Sequence, residues 1–288
     1  MNKLIGLIKY IHIHPLLWIV IGLAVLTAHF LELSLLLLII FVHEMGHAAA
    51  ASFFSWRIKR ISLLPFGGVA EMDEHGNRPL KEEVIVILSG PLQHLWMMGL
   101  AFILYQFSYL SEGLYHVFIQ YNLMVLLFNL LPIWPLDGGK LVFLFFSLKQ
   151  AFPNAHRQAL RISACCMAIF AVMILLFSPL NLNIWVVIAF LLFSLYHEWK
   201  QSRYIFIRFL LERYYGKDSE VLKLKPLVVN DNELVIHVLE KFQRGYKHPI
   251  IIEKDGKEKG SMDENELLHA YFSEKNITTR IGDLIFAY

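Results

Sequence analysis

The sequence predicts an α-helical polytopic membrane protein with about six transmembrane helices and a small C-terminal α/β domain. Hydrophobic residues make up 57% of the 288 residues and charged residues 17%. The mean hydropathy of +0.52 is too high for a soluble globular protein. Long apolar runs recur over the first 200 residues, whereas the composition becomes soluble in character from Leu224 onward.

Six apolar segments approach the roughly 20 residues that a membrane helix needs. They lie at approximately 15–30, 34–55, 84–108, 114–131, 162–177 and 184–199. The shorter apolar piece from Leu141 to Leu148 is interpreted as a continuation or a re-entrant turn.

Basic residues alternate with these segments. Lys and Arg precede the first segment and follow the second, fourth and sixth, whereas the intervening turns contain none. Because cytoplasmic loops carry the excess of positive charge, both termini are predicted to face the cytoplasm. The net charge of +2, without a basic run interleaved with aromatic residues, argues against nucleic acid as a partner.

The second segment contains the motif His43-Glu44-Met45-Gly46-His47. Residues four apart share one face of a helix, so the two imidazoles can bind one metal ion. Glu44 beside them can take a proton from the attacking water. The alternative is a pair of ordinary surface histidines, but ionisable groups within a membrane helix are rare and usually functional.

The stretch Asn129 to Lys140 supplies a candidate third ligand. Pro132 and Pro135 interrupt the helix, which lipid tolerates only where protein or water satisfies the freed backbone groups. Asp137 is therefore the best-placed residue to complete a zinc site, of which we expect one per chain. The alternative is that Asp137 caps the next helix. Asn129 can orient a substrate carbonyl or stabilise an oxyanion, or it can bond to a neighbouring helix.

Between the second and third segments, Ile58 to Met72 predicts a β-hairpin or re-entrant loop with a Gly67-Gly68 turn. Phe66 would point towards the site, and a free hairpin edge can bind an extended substrate strand. The alternative is a plain connecting loop. His94 follows Ser89-Gly90-Pro91 in the third segment, where it is a metal ligand or is satisfied by a neighbouring helix.

The chain is predicted to divide into a membrane domain at 1–200, a linker at 201–223 and a small domain at 224–288. In the last part, Leu224 to Val229 and Pro249 to Glu253 are predicted strands, and Asp255-Gly256 is a turn. Asn232 to Gln243 and Glu264 to Phe272 are predicted helices. The resulting β-α-β-β-α order indicates a small regulatory module.

The motifs H-E-M-G-H, Ser89-Gly90-Pro91 and N-x-x-P-x-x-P-L-D-G, with the Gly-Gly hairpin, resemble the site-2 protease family of intramembrane zinc metalloproteases. The resemblance covers roughly residues 34 to 140. One departure is His94, where relatives often have Asn. The tail after Leu224 resembles a single CBS domain, a type that binds adenine nucleotides.

The resemblance implies that His43, His47 and Asp137 bind Zn²⁺ and that Glu44 is the general base. Asn129 and Pro135 would shape the substrate path, and Phe66, Gly67 and Gly68 would gate it. The implied substrate is a membrane-associated protein such as an inactive sigma-factor precursor, cut near the cytoplasmic face during sporulation. The implied location is the membrane around the developing forespore.

For the tail, the resemblance implies ATP as a candidate ligand and self-association through a second CBS copy. The nucleotide-binding residues are unassigned, because the Asp that contacts ribose has no clear counterpart near Asp263 to Glu266. Inhibitory membrane proteins are further candidate partners.

Two other function classes compete with the protease. A metal-ion transporter or sensor could use the same ligands, although no internal repeat of the kind that transporters use is visible. A catalytically inactive scaffold could recruit partners through its tail, although the intact His43, Glu44 and His47 argue against it.

Overall fold

The computed structural model describes residues 11–13, 15–64, 67–72, 78–216 and 223–284. Phe66, a predicted gating residue, lies outside them. The chain divides into two compact units. The first comprises the described parts of Met1–Glu74, Leu80–Leu141 and Ile162–Ser194, and the second those of His75–Pro79, Val142–Arg161 and Leu195–Tyr288.

Seven helices make up most of the described residues up to Tyr215. They are α1 (Pro15–Leu26), α2 (Phe30–Phe53), α3 (Leu80–Gln106), α4 (Glu112–Asn129), α5 (Asp137–Ser147), α6 (Phe152–Phe177) and α7 (Leu182–Tyr215). The short predicted piece at Leu141 to Leu148 belongs to α5, which has 11 residues.

Within the described part of the chain, four helices are long and apolar enough to cross a membrane: α2, α3, α6 and α7. Helix α1 has only 12 residues and α4 has 18. The protein is therefore a multi-pass membrane protein, whereas the count of six spans stays a prediction. Helices α6 and α7 extend beyond the predicted segments, because helical hydrogen bonding continues through polar residues that an apolar window leaves out. Residues 201–215 of the predicted linker lie in α7.

The predicted hairpin is part of a three-stranded sheet. Strand β2 (Ile58–Leu64) pairs in parallel with β1 (Ile11–Ile13), which the sequence pattern did not reveal, and antiparallel with β3 (Gly67–Met72). The order is β1-β2-β3, so β3 forms an edge of this sheet.

The position of the hairpin turn differs from the prediction. Leu64 pairs with Gly67 and Leu63 with Gly68, so both glycines are paired residues of a strand. Gly67 and Gly68 lie in β3, and the positive-φ glycines among the described residues are Gly245 and Gly256. The prediction of a Gly67-Gly68 turn is therefore wrong. Gly68 is required for a close approach of β3 to the Glu44 side chain, and not for its φ angle.

The loop between α4 and α5 is held by apolar packing. Ile133 is 1% exposed and packs in one cluster with residues of α6 and α7, namely Met167, Ile188 and Leu191. The Trp134 backbone N–H donates to Ser163 Oγ over 3.0 Å. These contacts place Asp137 as the first residue of α5.

The described residues of the second unit form five short strands and three short helices besides segments of α5, α6 and α7. The strands are β4 (Lys223–Leu224), β5 (Leu227–Asn230), β6 (Tyr246–Lys247), β7 (Ile250–Lys254) and β8 (Lys257–Met262). The helices are α8 (Val235–Leu239), α9 (Glu264–Phe272) and α10 (Ile281–Leu284). Strands β5 and β7 are parallel, and β7 and β8 are antiparallel around Asp255 and Gly256, which both have positive φ.

The predicted β-α-β-β-α order occurs here as β5-α8-β7-β8-α9. Helix α9 has the predicted bounds, whereas the predicted helix at Asn232 to Gln243 is reduced to the five residues of α8. A buried aromatic group from α6 and α7, namely Phe152, Phe206 and Phe209, lies in one core with residues of β5, β7, α8 and α9. This part of the chain is therefore packed on helical segments of its own unit.

Candidate metal centre

Helix α2 places His43 and His47 one turn apart on a buried face. Their Nε2 atoms lie 3.1 Å apart, and the two residues are 2% and 4% exposed. The spacing of four residues accounts for this geometry, because one helical turn brings such side chains together. Two nitrogen ligands therefore meet at a single point.

Asp137 at the beginning of α5 reaches the same point. Its Oδ2 atom lies 3.2 Å from His43 Nε2 and 3.1 Å from His47 Nε2, and the residue is 3% exposed. Its other oxygen, Oδ1, accepts from Lys140 Nζ over 3.1 Å. The carboxylate thus presents one oxygen to the histidines and the other to a lysine on its own helix.

These three atoms fit a zinc ion. Zinc bound by nitrogen and oxygen at about 2.0–2.2 Å in a tetrahedron separates its ligand atoms by about 3.3–3.5 Å. The three separations here are 3.1, 3.1 and 3.2 Å. Three protein ligands also leave a fourth position, as catalytic zinc sites do. The donor set suits zinc, and a single metal ion fits between the three atoms.

Glu44 lies beside these ligands and is 7% exposed. Ligand atoms of His43, Glu44 and His47 all lie within 4.8 Å of one another. Strand β3 covers the Glu44 side chain, because a Cβ added at Gly68 would collide with Glu44 Cγ and Cδ. The carboxylate is thus held between the histidines and the sheet.

The histidine pair is bounded on another side by α3. A Cβ added at Gly90 would collide with His47 Nε2 and Cε1 and would reach within 2.9 Å of His43 Nε2. Helices α2 and α3 are also in direct contact beside this point, because Ser89 Oγ donates to Gly46 O over 3.0 Å. Gly90 therefore allows α3 to approach the ligand atoms.

Both histidines are oriented through their Nδ1 atoms. His47 Nδ1 lies 2.8 Å from Val86 O, and His43 Nδ1 lies 3.0 Å from His94 Nε2. Ligating histidines commonly hold a second group in this way, which fixes the ring and its tautomer. His94 thus contacts a ligand residue and does not reach the ligand atoms themselves.

The remaining predicted site residues are not brought to the cluster by a described contact. Asn129 Nδ2 donates to Val125 O of its own helix over 3.0 Å, and Pro135 lies in the loop before Asp137. Gly67 lies at the beginning of β3 next to Gly68. Their roles stay predictions.

Sequence reasoning missed two residues that contact this group. Lys140 pairs with Asp137, and its position three residues later on a helix was a usable signal. Asn122 accepts from His94 Nδ1 over 3.0 Å, and it was detectable as a polar residue within an apolar segment.

The chain matches a family model described as Peptidase family M50 over residues 32–112 and 110–177. It is 52% identical to Stage IV sporulation protein FB of Bacillus subtilis over 288 residues, covering 100% of both chains. A zinc metalloprotease of Methanocaldococcus jannaschii is 29% identical over 246 residues, which cover 83% of this chain and 70% of that protein.

A solved structure is also similar. The Site-2 Protease from Methanocaldococcus jannaschii superposes with a TM-score of 0.54 at 28% sequence identity. The match covers 65% of this chain and 89% of that chain.

Proposed function

Since this chain belongs to peptidase family M50 and is a site-2 type zinc metalloprotease of the membrane, we propose that it performs regulated proteolysis of a membrane-tethered protein. Its catalytic group would be His43, Glu44, His47 and Asp137. The observation that carries the proposal is the triangle of His43 Nε2, His47 Nε2 and Asp137 Oδ2, with sides of 3.1–3.2 Å, next to the buried Glu44.

The proposed chemistry assigns each residue one task. Zinc bound by His43, His47 and Asp137 would act as a Lewis acid on the scissile carbonyl and acidify water. Glu44 takes a proton from the attacking water as the new C–O bond forms. It then delivers that proton to the leaving amine as the C–N bond breaks. The proton count closes, and Glu44 returns to its ionised form.

Substrate presentation is proposed to use β3. An extended segment added to this edge strand would be held by backbone hydrogen bonds. Because Gly68 of β3 lies against Glu44, such a segment would run beside the general base. Phe66, Gly67 and Gly68 are proposed to gate this approach, and Asn129 and Pro135 to line the substrate path.

The proposed substrate and location rest on the resemblance given in the sequence analysis, and the relative's name supports a role in sporulation. The 52% identical protein is named for stage IV of sporulation. We therefore propose that the substrate is an inactive sigma-factor precursor, that it is cut near the cytoplasmic membrane face, and that the protein acts in the membrane around the developing forespore with both termini in the cytoplasm.

The C-terminal part is proposed to be a regulatory module of the CBS type at 224–288, joined by the linker 201–223 to a membrane domain at 1–200. The β5-α8-β7-β8-α9 order supports the module, with ATP as its candidate ligand. Asp263 and Glu266, however, form a capping box at the beginning of α9, so neither carboxylate is placed as a free ribose ligand. Self-association through this module and binding of inhibitory membrane proteins belong to the same proposal.

The decisive experiment replaces Glu44 with Gln in the full-length protein. Zinc content and cleavage of a co-expressed membrane-tethered substrate are measured together. We expect zinc to be retained and cleavage to fall by about 10²–10⁴-fold, the usual contribution of a general base. Asp137→Ala is expected to lower the zinc content as well.

Glu32→Gln is the matched control, because Glu32 lies on the same helix at an exposed position. It is expected to cleave like the wild type. Undiminished cleavage by the Glu44→Gln protein would refute the mechanism. Metal transport that requires the ligands but not Glu44 would favour a transporter.

A further inference from the structure

Three polar residues on three neighbouring helices form a continuous buried chain behind the candidate metal centre. Asn122 on α4 contacts His94 on α3, and His94 contacts His43 on α2, with both distances at 3.0 Å. Asn122 and His94 are 0% exposed and His43 is 2% exposed. We propose that Asn122 and His94 are positioning residues that fix the orientation and tautomer of His43. This proposal rests on the proposed protease function.

The hydrogen-bond directions in this chain follow from one fixed acceptor. The Phe118 carbonyl can only accept, so the Asn122 group 2.9 Å from it is the Nδ2 donor. Asn122 Oδ1 therefore faces His94 and accepts from its Nδ1–H. A neutral imidazole has one N–H and one lone pair, so His94 Nε2 accepts from His43 Nδ1–H. The lone pair of His43 is thereby placed on Nε2, the atom that faces His47 and Asp137.

The two ligand histidines obtain the same tautomer by different means. His47 Nδ1 donates to the Val86 backbone carbonyl over 2.8 Å. At His43 the acceptor is a side chain, which in turn depends on Asn122. His94 thus does for His43 what a backbone carbonyl does for His47. His94, which is buried between α2 and α4, therefore has a defined task.

The test measures the zinc dissociation constant of the full-length, detergent-purified protein by competition with a chelator. Loss of a group that orients a ligand typically weakens metal binding by about 10–100-fold. We expect Asn122→Leu and His94→Leu each to weaken zinc binding within this range. Because both changes break one chain, the double variant should be no weaker than the weaker single variant.

Two further variants separate positioning from packing. Asn122→Asp keeps an acceptor for His94 Nδ1. It should bind zinc within a few-fold of the wild-type affinity, and therefore more tightly than Asn122→Leu. A packing role predicts the opposite order, because Leu suits a buried apolar site better than Asp. Ser34→Ala removes a side-chain bond to the residue four positions earlier on α2, without a contact to His94, and should leave zinc affinity unchanged.

Wild-type zinc affinity in both Leu variants would overturn this proposal while leaving the protease function intact. Additive losses in the double variant would overturn it as well, since they would indicate two independent effects. If the wild-type protein itself bound no zinc, the proposed protease function would be refuted, and not only the positioning role. The two failures are therefore distinguishable.

A second, independent feature lies in the second unit. A cavity of about 300 Å³ lies at the beginning of α6 and is lined by Gln150 and Ala151, which precede the helix, and by Asn154, Arg157, Gln158 and Arg161 of its first turns. Arg157 and Arg161 are exposed and lie four residues apart, where like charges on a helix repel each other. Among the described residues, neither arginine has a carboxylate partner.

The cavity offers hydrogen-bond donors in excess of acceptors. Gln150 Nε2 donates to Gln158 Oε1 over 3.1 Å, so the amide N–H groups of Gln158 are left for another partner. With the two guanidinium groups, this set suits an oxygen-rich anion, and guanidinium groups match phosphate geometry well.

Helix α6 also indicates where such an anion comes from. Beyond Arg161, the side chains at the same helical spacing are exposed and apolar, namely Cys165, Ile169, Val172 and Leu176. Because α6 is one continuous helix that is long and apolar enough to cross a membrane, lipid phosphates are available at the end of the helix that carries the arginines. We infer that this cavity binds the headgroup of an anionic phospholipid.

The test titrates phosphatidylglycerol into the full-length, detergent-purified protein and counts bound lipid by native mass spectrometry. We expect one tightly bound lipid, and at least a 10-fold loss of its affinity in the Arg157→Gln, Arg161→Gln protein. The Lys200→Gln, Arg203→Gln protein is the matched control. It loses the same charge from exposed positions of α7 and should bind the lipid like the wild type.

Equal losses in both double variants would overturn the inference, because they would show only a general attraction of basic residues for anionic lipid. Phosphatidylcholine should bind at least 10-fold more weakly than phosphatidylglycerol. Inorganic phosphate is the third arm. Displacement of the lipid by phosphate at equal concentration would show that the cavity recognises phosphate without the rest of the lipid. That result would also overturn the lipid assignment.

Discussion

Gly68 lies directly against Glu44, so that a Cβ at position 68 would collide with the Cγ and Cδ atoms of the glutamate. The edge strand of the sheet therefore covers the proposed general base at a distance that only glycine allows. The contact links the strand proposed to hold substrate with the group proposed to move the proton.

Gly68→Ala is expected to displace Glu44 without removing a metal ligand. Cleavage should fall by at least about 10²-fold, near the lower end of what a general base contributes, while zinc content stays at the wild-type value. Cleavage of a membrane-tethered substrate and metal analysis of the same preparation measure both. Wild-type cleavage by this variant would show that the strand can move away from Glu44 without loss of activity.

Gly90→Ala is expected to have a different effect, because its Cβ would collide with His47 Nε2 and approach His43 Nε2. Zinc affinity should fall by at least about 10-fold, the lower range for a disturbed ligand environment. Chelator competition measures the affinity. Gly99→Ala on the same helix is the control, because nothing lies within 4 Å of its added Cβ. Equal affinities in the two variants would contradict the close approach of α3.

The buried pair Arg213 and Glu264 is expected to stabilise the second unit. Arg213 Nε and Nη2 donate to the two carboxylate oxygens over 2.7 and 2.8 Å, and both side chains are 5% exposed. Removal of one partner leaves a buried charge, which typically destabilises by about 3–5 kcal/mol. Glu264→Gln should therefore lower the urea concentration at which this unit becomes sensitive to protease.

Lys241→Met provides the comparison for that experiment. Its ion pair with Glu233 is shorter, at 2.6 Å, but its side chain is 42% exposed. Solvent-exposed pairs contribute about 0–1 kcal/mol. The urea concentration at which this unit becomes sensitive to protease should therefore barely change. A larger shift for Lys241→Met than for Glu264→Gln would contradict the assignment of the buried pair.

His248 is expected to make the second unit less stable in acid. Burial lowers the pKa of His248 below its ordinary value of 6.5, and the positive charge of Arg213 acts in the same direction, against Glu264 and the Lys225 carbonyl. Its Nε2 accepts from the Gln243 backbone N–H over 2.9 Å, which a proton on Nε2 would prevent. The unfolded chain therefore takes up a proton first as the pH falls below about 6.5.

The stabilisation by neutral His248 is thus complete above that pH and declines as the pH falls towards the lower pKa of the folded state. Urea midpoints measured between pH 7.5 and 5.0 should decrease for the wild type and change less for His248→Gln. His269→Gln, a change in the same unit next to Tyr214, should retain the wild-type pH dependence. A flat wild-type profile would refute the prediction.

The family predicted from the two motifs is confirmed by the match to family M50 and by the 52% identical relative. The spacing of His43 and His47 was sufficient for the paired imidazoles, because helical periodicity alone brings residues four apart together. Asp137 was predicted as a ligand from the broken backbone around it, and it lies within 3.2 Å of both histidines. The metal-binding role of all three stays a prediction that the variants above test.

The sequence by itself determined the local features of this protein: the apolar helices, the H-E-M-G-H face and the bounds of α9, each of which depends on residues within a few turns. Only the tertiary structure decided which side chains support that face. His94 and His43 are 51 residues apart, and Asn122 lies 28 residues beyond His94. Their contact depends on how three helices are rotated about their axes against one another. The pattern of lipid-facing apolar residues does not specify that rotation. The same holds for Gly68, whose glycine identity reflects the position of Glu44 on another element and not a turn.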